Sequence, residues 1–272
     1  MIQLLKKFFY LRNIIFFLLG GVELSSSLKF LWSLVRPGKI TQLTLKSGLR
    51  FQVRNIYDLV PLYEQFMQRT YGELLERTRR PVTIIDIGGY IGDTAVFFAQ
   101  HPAVTKVLVY EPLPTNFVTL KQNLLLNKKF IYDKITAHAL AVVGRARKTK
   151  LKLLSNNNLG NTTQLKKSQS AGQKISYVAT VPLAQIVKKF RGQALYLKMD
   201  CEGAELEILQ QTPPLILRQI SRMIIEYHLK YYQLTELTAV LKRNHYQVSI
   251  APDQIEPDTI GIILAHRSKL AH

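Results

Sequence analysis

The chain has 272 residues, 47% hydrophobic and 20% charged, so it can bury a sizeable core as one large domain with extensions. Its formal net charge of +19 favours anionic partners, such as acidic lipid, nucleic acid, or phosphorylated or acidic-sugar substrates. A single cysteine, Cys201, excludes an intrachain disulfide and a thiolate metal site, and the histidines show no metal-ligand spacing. We therefore expect a cytoplasmic protein that uses no metal.

The positive charge is concentrated in two parts of the chain. Residues 1–54 hold nine basic residues against one acid, Glu23, and residues 141–193 hold eleven basic residues and no acid. No zinc-finger, K-homology or RNA-recognition motif accompanies them, which favours lipid or sugar over nucleic acid as the anionic partner. A merely soluble basic surface would give the same composition.

Residues 1–36 are apolar and basic. Their uninterrupted apolar run, Ile14–Val22, is shorter than the about 20 residues that a membrane-spanning helix needs. No A-x-A-like site follows clearly, which disfavours a secretory signal. The pattern predicts an amphipathic helix pair with Leu, Phe and Trp32 on one face and flanking Lys and Arg. Such a segment would lie on an anionic membrane, on its own domain or on a second subunit.

A small hairpin and a helix are predicted next in the chain. Alternating apolar residues over 40–54, around Ser47-Gly48, are typical of a β-hairpin. Apolar residues recur at helical spacing over 58–78, which predicts one helix that ends before Pro81. We expect residues 37–80 to pack on the core of the main domain.

From residue 82 onward, short apolar strands alternate with helices. Predicted strands cover 82–85, 106–110, 135–142, 149–154, 176–181, 194–199, 222–225, 246–250 and 259–265. Predicted helices cover 93–100, 112–127, 183–190, 202–211 and 229–243. The polar stretch 155–174 predicts a mobile loop, either simply solvated or lining an acceptor site with Asn156, Asn157, Asn158 and Asn161. The alternation predicts an α/β fold whose mostly parallel sheet carries helices on both faces.

The stretch Val82–Gly92, VTIIDIGGYIG, has the form of a strand, a turn and the start of a helix. Asp86 ends the apolar run, and Gly88, Gly89 and Gly92 lie in the turn. Glycines let the backbone approach a ligand closely, and the following helix offers free N–H groups. Such a turn at the carboxyl end of a parallel strand is typical of nucleotide binding.

Glu111 ends the next predicted strand, 25 residues after Asp86. An acid there can accept hydrogen bonds from two ribose hydroxyls, although it would also suit a helix N-terminus. The turn lacks G-x-G-x-x-G, and Asp86 would repel a pyrophosphate. A carboxylate instead suits S-adenosylmethionine, which carries an ammonium and a sulfonium and no phosphate. A nicotinamide dinucleotide, with hydride transfer, is the alternative cofactor.

Four segments resemble the FkbM family of S-adenosylmethionine-dependent methyltransferases: DIGGYIGDTAVFFA, VLVYEPLPTNFVTLKQNLLLN, LYLKMDCEGAELEIL and RMIIEYH. The resemblance runs from about Leu43 to Ala265, and K-x-D-x-E-G-x-E at 198–205 is its most specific part. It implies a Rossmann-like class I methyltransferase domain over residues 81–268, with a seven-stranded sheet and a reversed last strand. It also implies O-methylation of a hydroxyl on a sugar, glycolipid or secondary metabolite.

By position, the resemblance implies that the cofactor is held by Asp86, Gly88, Gly92 and Glu111. Asp86 and the glycine turn would face the methionine part, and Glu111 would face the ribose. Ala141, after the third strand of the domain, would lie near adenine.

Methyl transfer to a hydroxyl needs a group that accepts the hydroxyl proton. The candidates follow predicted strands at one rim of the sheet: Asp200, Glu202, Glu226 and His228. His228 has the best unperturbed pKa for a base near neutral pH, and Asp200 has the best position, beside the cofactor strand. Lys198 shares a strand face with Asp200 and would pair with an acid or hold an anionic substrate. Helix capping is the structural alternative for Asp200 and Glu202.

The expected partners follow from these features. We expect a small-molecule, sugar or lipid-linked glycan acceptor, and peripheral contact between residues 1–36 and an anionic membrane. The alternative suggested by the charge is a non-catalytic protein that keeps this fold and binds anionic lipid or nucleic acid.

Overall fold

The computed structural model describes residues 2–34, 40–131, 133–145, 151–155, 174–253 and 257–267. Its strands are β1 Thr41–Thr44, β2 Arg50–Val53, β3 Val82–Ile87, β4 Val104–Tyr110, β5 Ile135–His138, β6 Ala141–Val143, β7 Leu151–Ser155, β8 Lys174–Val178, β9 Thr180–Pro182, β10 Leu195–Met199, β11 Ile220–His228, β12 Tyr246–Pro252 and β13 Ile260–Arg267. Its α-helices are α1 Ile2–Gly20, α2 Leu24–Leu34, α3 Leu59–Tyr63, α4 Asp93–Ala99, α5 Pro114–Leu126, α6 Lys128–Ile131, α7 Leu183–Lys188, α8 Glu205–Gln211, α9 Pro214–Leu217 and α10 Leu234–Arg243. Most of the predicted polar loop, with Asn156, Asn157, Asn158 and Asn161, lies outside the described residues.

The central sheet has seven strands, in the order β5-β4-β3-β10-β11-β13-β12. The strands β5, β4, β3, β10 and β11 run parallel, and β13 runs antiparallel to both of its neighbours. The last strand in sequence is therefore the reversed one. This confirms the predicted Rossmann-like α/β class. Because β3 lies between β4 and β10, the turns that follow these three strands meet at one edge of the sheet.

Helices cover both faces of the sheet, since successive residues of a strand point to opposite sides. Ile84 packs in the core formed with α4, α5 and the N-terminal elements, whereas Ile85 packs in the core under α7 to α10. Val107 and Leu108 of β4 divide in the same way. All residues of β3 are buried, which explains why this strand reads as a continuous apolar run.

The segment before β3 is not the single helix that its periodicity predicts. It consists of a 3-10 turn Ile56–Asp58, α3, a π-helical turn Glu64–Gln68 and a second 3-10 turn Gly72–Leu75. Arg69 has a left-handed backbone, with φ of 58°, which interrupts the helix. The prediction is wrong because apolar spacing reports which face is buried and does not report whether the backbone hydrogen bonds are continuous.

Two predicted strands each divide into two shorter ones. The stretch 135–142 becomes β5, in the central sheet, and β6, which leaves it to pair in parallel with β9. The stretch 176–181 becomes β8, which pairs antiparallel with β7, and β9. The hairpin predicted over 40–54 is present as β1 and β2, with Leu43 opposite Phe51.

The helices α1 and α2 form a pair that we name the helical platform, and it packs on the β1-β2 hairpin. Phe17 and Phe30 of the platform are buried in the core shared with the hairpin. Ser27 Oγ donates to Leu18 O at 2.7 Å, which ties the two helices together. Among the residues that the structure describes, no helix has the length and apolar character needed to cross a bilayer.

Candidate active site

The glycine turn after β3 is held closely against β4 and β10. Gly88 and Gly92 have φ angles of 81° and 88°, a conformation that favours glycine. A Cβ at Gly88 would collide with the carbonyl oxygen of Asp200. The N–H groups of Gly88 and Gly89 both donate to Tyr110 O at 3.0 Å. The glycines therefore allow three strand ends to meet.

Asp86 and Lys198 form a buried ion pair between β3 and β10. They lie opposite each other in the register, and Lys198 Nζ is 3.3 Å from Asp86 Oδ1. Lys198 Nζ also donates to Gly88 O at 2.7 Å and lies 3.7 Å from Asp200 Oδ2. Asp86 Oδ2 accepts a hydrogen bond from Thr94 Oγ1 at 2.7 Å. The predicted pairing of Lys198 with an acid is present, and the donors of this lysine point at protein groups.

This pairing decides what Asp86 and Lys198 can do. Burial raises the pKa of Asp86, while Lys198 opposes the rise by stabilising the carboxylate. Burial disfavours the charge of Lys198, but the carboxylates of Asp86 and Asp200 raise its pKa overall, so it stays charged. None of the Asp86 side chain is exposed, and its polar contacts are with Lys198 and Thr94.

Glu111 lies at the tip of β4, beside the glycine turn, as the sequence predicts. Its carboxylate is buried and accepts from Tyr90 N and Leu113 N at 2.9 Å each and from Asn116 Nδ2 at 3.4 Å. Burial raises the pKa of Glu111 to about 7. A carboxylate has about four acceptor positions, so these three donors leave one for a ribose hydroxyl.

Glu205 holds the turn that follows β10, a role that its sequence position alone does not reveal. Its carboxylate is fully buried, and Oε1 accepts from Cys201 N at 3.0 Å and Gly203 N at 3.1 Å. Tyr232 OH donates to Oε2 at 2.9 Å. These bonds fix a turn in which Glu202 and Gly203 both have positive φ, at 55° and 106°. The D-x-E-G-x-E spacing is thus explained by the geometry of one turn.

His228 is a charged member of this cluster. Its Nδ1 lies 3.3 Å from Glu205 Oε1, and its Nε2 lies 3.5 Å from Glu202 Oε2 and 3.7 Å from Glu226 Oε1. Burial disfavours the imidazolium, but the hydrogen bond with Glu205 and the surrounding carboxylates raise the pKa of His228 to about 10. A raised pKa disfavours a neutral imidazole near pH 7, so the surroundings of His228 favour Asp200 over His228 among the candidate bases.

Asp200 and Glu226 reach the open edge of the site, and Tyr71 bridges them. Tyr71 OH donates to Glu226 Oε2 at 2.6 Å and lies 3.4 Å from Asp200 Oδ2. Burial, and then the charge of Asp200, raise the pKa of Glu226 to about 8. Sequence reasoning missed Tyr71, which appeared only as an apolar position of a predicted helix. A phenol hydroxyl at a buried position, which needs a partner, was the available signal.

The cluster contains more carboxylates than cations. Asp200, Glu202 and Glu226 are all partly exposed, with only Lys198 and His228 paired against them in this part of the described structure. Burial, and then the charge of Asp200, raise the pKa of Glu202 to about 7. The atoms of Asp200, Glu226 and His228 that could bind a metal ion lie within 4.8 Å of one another. In this group the imidazole supplies the positive charge.

Ala141, which was predicted to lie near adenine, is buried in the structure. It lies on β6, buried in a small cluster with Leu113 and Val178, and its N–H donates to Ala179 O at 2.9 Å. Near this edge, β5 carries His138 and β4 carries Tyr110, and their rings stack with centroids 4.8 Å apart. Sequence reasoning missed this ring pair, since neither strand shows which residues lie opposite each other.

A further network joins the N-terminal segment to the glycine turn. Asp58 is fully buried and accepts from the Arg54 backbone at 2.7 Å and its guanidinium at 2.8 and 3.0 Å. Tyr90 OH donates to the same carboxylate at 2.5 Å, and the backbone N–H of Tyr90 donates to Glu111. The segment that follows the hairpin and Glu111 are therefore linked through one residue of the turn.

The sheet order, the glycine turn and the acid at the tip of β4 define a class I methyltransferase. The sequence model of the methyltransferase FkbM domain family matches residues 86–248, and the chain belongs to this family. It is an S-adenosylmethionine-dependent enzyme, so the alternative cofactor, a nicotinamide dinucleotide, is excluded. No curated protein matches the chain.

Solved structures similar to the chain are distant from it in sequence. The methyltransferase FkbM from Methylobacillus flagellatus KT is 18% identical over 76% of this chain and 50% of that one, with a TM-score of 0.47. The precorrin-6y C5,15-methyltransferase from Geobacter metallireducens GS-15 is 14% identical over 74% and 87%, with a TM-score of 0.43. Sp1610 from Streptococcus pneumoniae, in complex with S-adenosyl-L-methionine, is 10% identical over 75% of each chain, with a TM-score of 0.45.

Proposed function

We propose that the protein methylates a hydroxyl oxygen of a neutral sugar, glycolipid or secondary metabolite, with Asp200 as the general base. One observation carries the assignment: Asp200 is a partly exposed carboxylate at the tip of β10, directly against the glycine turn. S-adenosylmethionine supplies a methyl group already activated on a sulfonium. The protein has to align the acceptor hydroxyl with that methyl group and accept the proton that the hydroxyl loses.

Lys198 and Tyr71 keep Asp200 in place for this role. Lys198 Nζ lies 3.7 Å from Asp200 Oδ2 and is anchored to Asp86. Tyr71 OH lies 3.4 Å from the same oxygen and holds Glu226 on its other side. The raised pKa of Glu226 lets that group carry a proton beside Asp200.

The chemistry of the edge favours a neutral acceptor with several hydroxyl groups. Asp200, Glu202 and Glu226 are hydrogen-bond acceptors, which suit sugar hydroxyls as donors. Those that are ionised would repel a phosphate or an acidic sugar. His228, although cationic, is enclosed by the carboxylates around it.

The acceptor can be sought by comparing glycans and lipids of cells with and without the gene by mass spectrometry. We expect one class of hydroxylated compound to lose a single methyl group. With that acceptor, Asp200→Asn should lower kcat by about 10²–10⁴-fold. Calorimetric affinity for S-adenosylmethionine should stay within a few-fold of the original, since the change keeps the shape of the side chain.

The matched control is Asp133→Asn, which changes an exposed aspartate whose carboxylate lies near Lys128. It should leave both turnover and cofactor affinity unchanged. Full activity of Asp200→Asn would remove Asp200 from the role of base. Absence of S-adenosylmethionine binding by the unmodified protein would overturn the proposed reaction altogether.

A further inference from the structure

The helix α2 of the helical platform has its polar and apolar sides reversed relative to an ordinary surface helix. Ser26 and Ser27 are buried, and both make hydrogen bonds: Ser26 Oγ accepts from Thr44 N at 3.1 Å, and Ser27 Oγ donates within the platform. The opposite side exposes large apolar residues, namely Leu24, Leu28, Leu31 and Trp32, and Leu34 is exposed at the end of the helix. An ordinary amphipathic helix on a protein surface buries such residues against the core.

The helix α1 also exposes apolar residues over its described side chains, although its buried side is mainly apolar. Ile14, Phe17 and Leu18 are buried with Asn13, while Leu11, Ile15, Phe16 and Leu19 are exposed at helical spacing. Of the seventeen large hydrophobic side chains that are exposed in the described residues, ten lie between residues 11 and 40. Exposed apolar residues so concentrated are typical of an interaction surface.

The charges around this surface identify the kind of partner. Arg12, Lys29 and Lys46 are exposed, and Glu23 is the one acidic residue in the first 54 residues of the sequence. A second copy of the chain would bring like charges together, whereas an anionic bilayer offers both an apolar phase and negative charge. We propose that the helical platform docks the protein on the surface of an anionic membrane, with its outward apolar residues in the interfacial layer.

A groove beside the apolar residues supports this assignment. It has a volume of about 350 Å³ and is lined by Lys29, Trp32, Ser33, Thr41 and Gln42, among others. An ammonium group and hydroxyls suit the phosphate of a lipid headgroup. Trp32, which is 62% exposed, combines an apolar ring with an N–H donor, as tryptophan does at membrane interfaces.

The position of Trp32 also provides the assay, because it is the only tryptophan in the chain. Vesicles of phosphatidylcholine and phosphatidylglycerol should shift its fluorescence to shorter wavelength and sediment with the full-length protein. Vesicles of phosphatidylcholine alone should bind less, and added salt should weaken binding to the mixed vesicles. The double variant Leu28→Ser, Leu31→Ser should lose about tenfold or more in vesicle affinity.

The matched control removes two exposed leucines away from the platform. Leu125 and Leu215 are 71% and 75% exposed, and their double change to serine should leave vesicle binding unaltered. Unchanged S-adenosylmethionine affinity would show that both double variants are folded. The proposal is overturned if the original protein ignores mixed vesicles, or if the Leu28, Leu31 variant binds them as well as the original does. Self-association that this variant abolishes, without vesicle binding, would assign the surface to a second copy instead.

Discussion

The pair formed by Glu205 and His228 should make the stability of the fold depend on pH. The pKa of His228 is raised from 6.5 to about 10, so its stabilising contribution is complete below about pH 6.5 and is lost as the pH rises through about 10. At 1.36 kcal/mol per unit, the shift corresponds to roughly 5 kcal/mol. The pKa of Glu205 is lowered although burial opposes this, because His228 and the backbone donors stabilise the carboxylate. Its contribution is therefore present across the same pH range and is lost only in acid.

A double-mutant cycle with Glu205→Gln and His228→Gln isolates this pair from other titrating groups. Removing the carboxylate near pH 6.5 should lower the free energy of unfolding by about 3–5 kcal/mol, because a buried imidazolium loses its nearest carboxylate. The coupling energy should fall towards zero near pH 10, as measured by urea unfolding. Glu207→Gln is the control, since that residue lies on another face of α8. A coupling energy that is equal at both pH values, or absent, would refute the assignment of this pair.

Three further changes test the rest of the site. Glu111→Gln should weaken S-adenosylmethionine binding by about tenfold in calorimetry, because a ribose hydroxyl loses a charged acceptor; unchanged affinity would place the ribose elsewhere. Gly88→Ala should lower the free energy of unfolding by about 1–3 kcal/mol more than Gly192→Ala, which has the same φ of 81° but open space around it; equal losses would mean that only the backbone conformation matters. Tyr71→Phe removes a hydrogen bond that lowers the pKa of Glu226, so that pKa should rise above about 8 and shift the pH profile of turnover upwards. An unmoved profile would show that this carboxyl does not titrate during turnover.

The sequence predicts the sheet and its edge better than it predicts the use of each side chain. Runs such as 82–85 are buried on both faces, so their apolar character identifies them directly, and the acids at strand ends follow from topology. The sequence could not show that Asp86 is enclosed by Lys198, because this depends on the register of β3 against β10. Nor could it show the pKa of His228, which depends on carboxylates that the turn after β10, the start of α8 and the strand β11 bring together. Long-range hydrogen-bond partners such as Tyr71 are the hardest to predict, because a tyrosine at an apolar position of the pattern does not show where its hydroxyl group bonds.

The hydrogen bonds of Tyr90 have a consequence for how the enzyme responds to its cofactor. Because this residue bonds both Asp58 and Glu111, whatever stabilises Glu111 also stabilises the segment that carries Arg54. Ligand binding and local opening of that segment are then thermodynamically linked. Proteases that cut between residues 54 and 80 should therefore act more slowly as S-adenosylmethionine is added. Tyr90→Phe should uncouple the two, so that the cofactor still binds while the segment is cut at its unprotected rate.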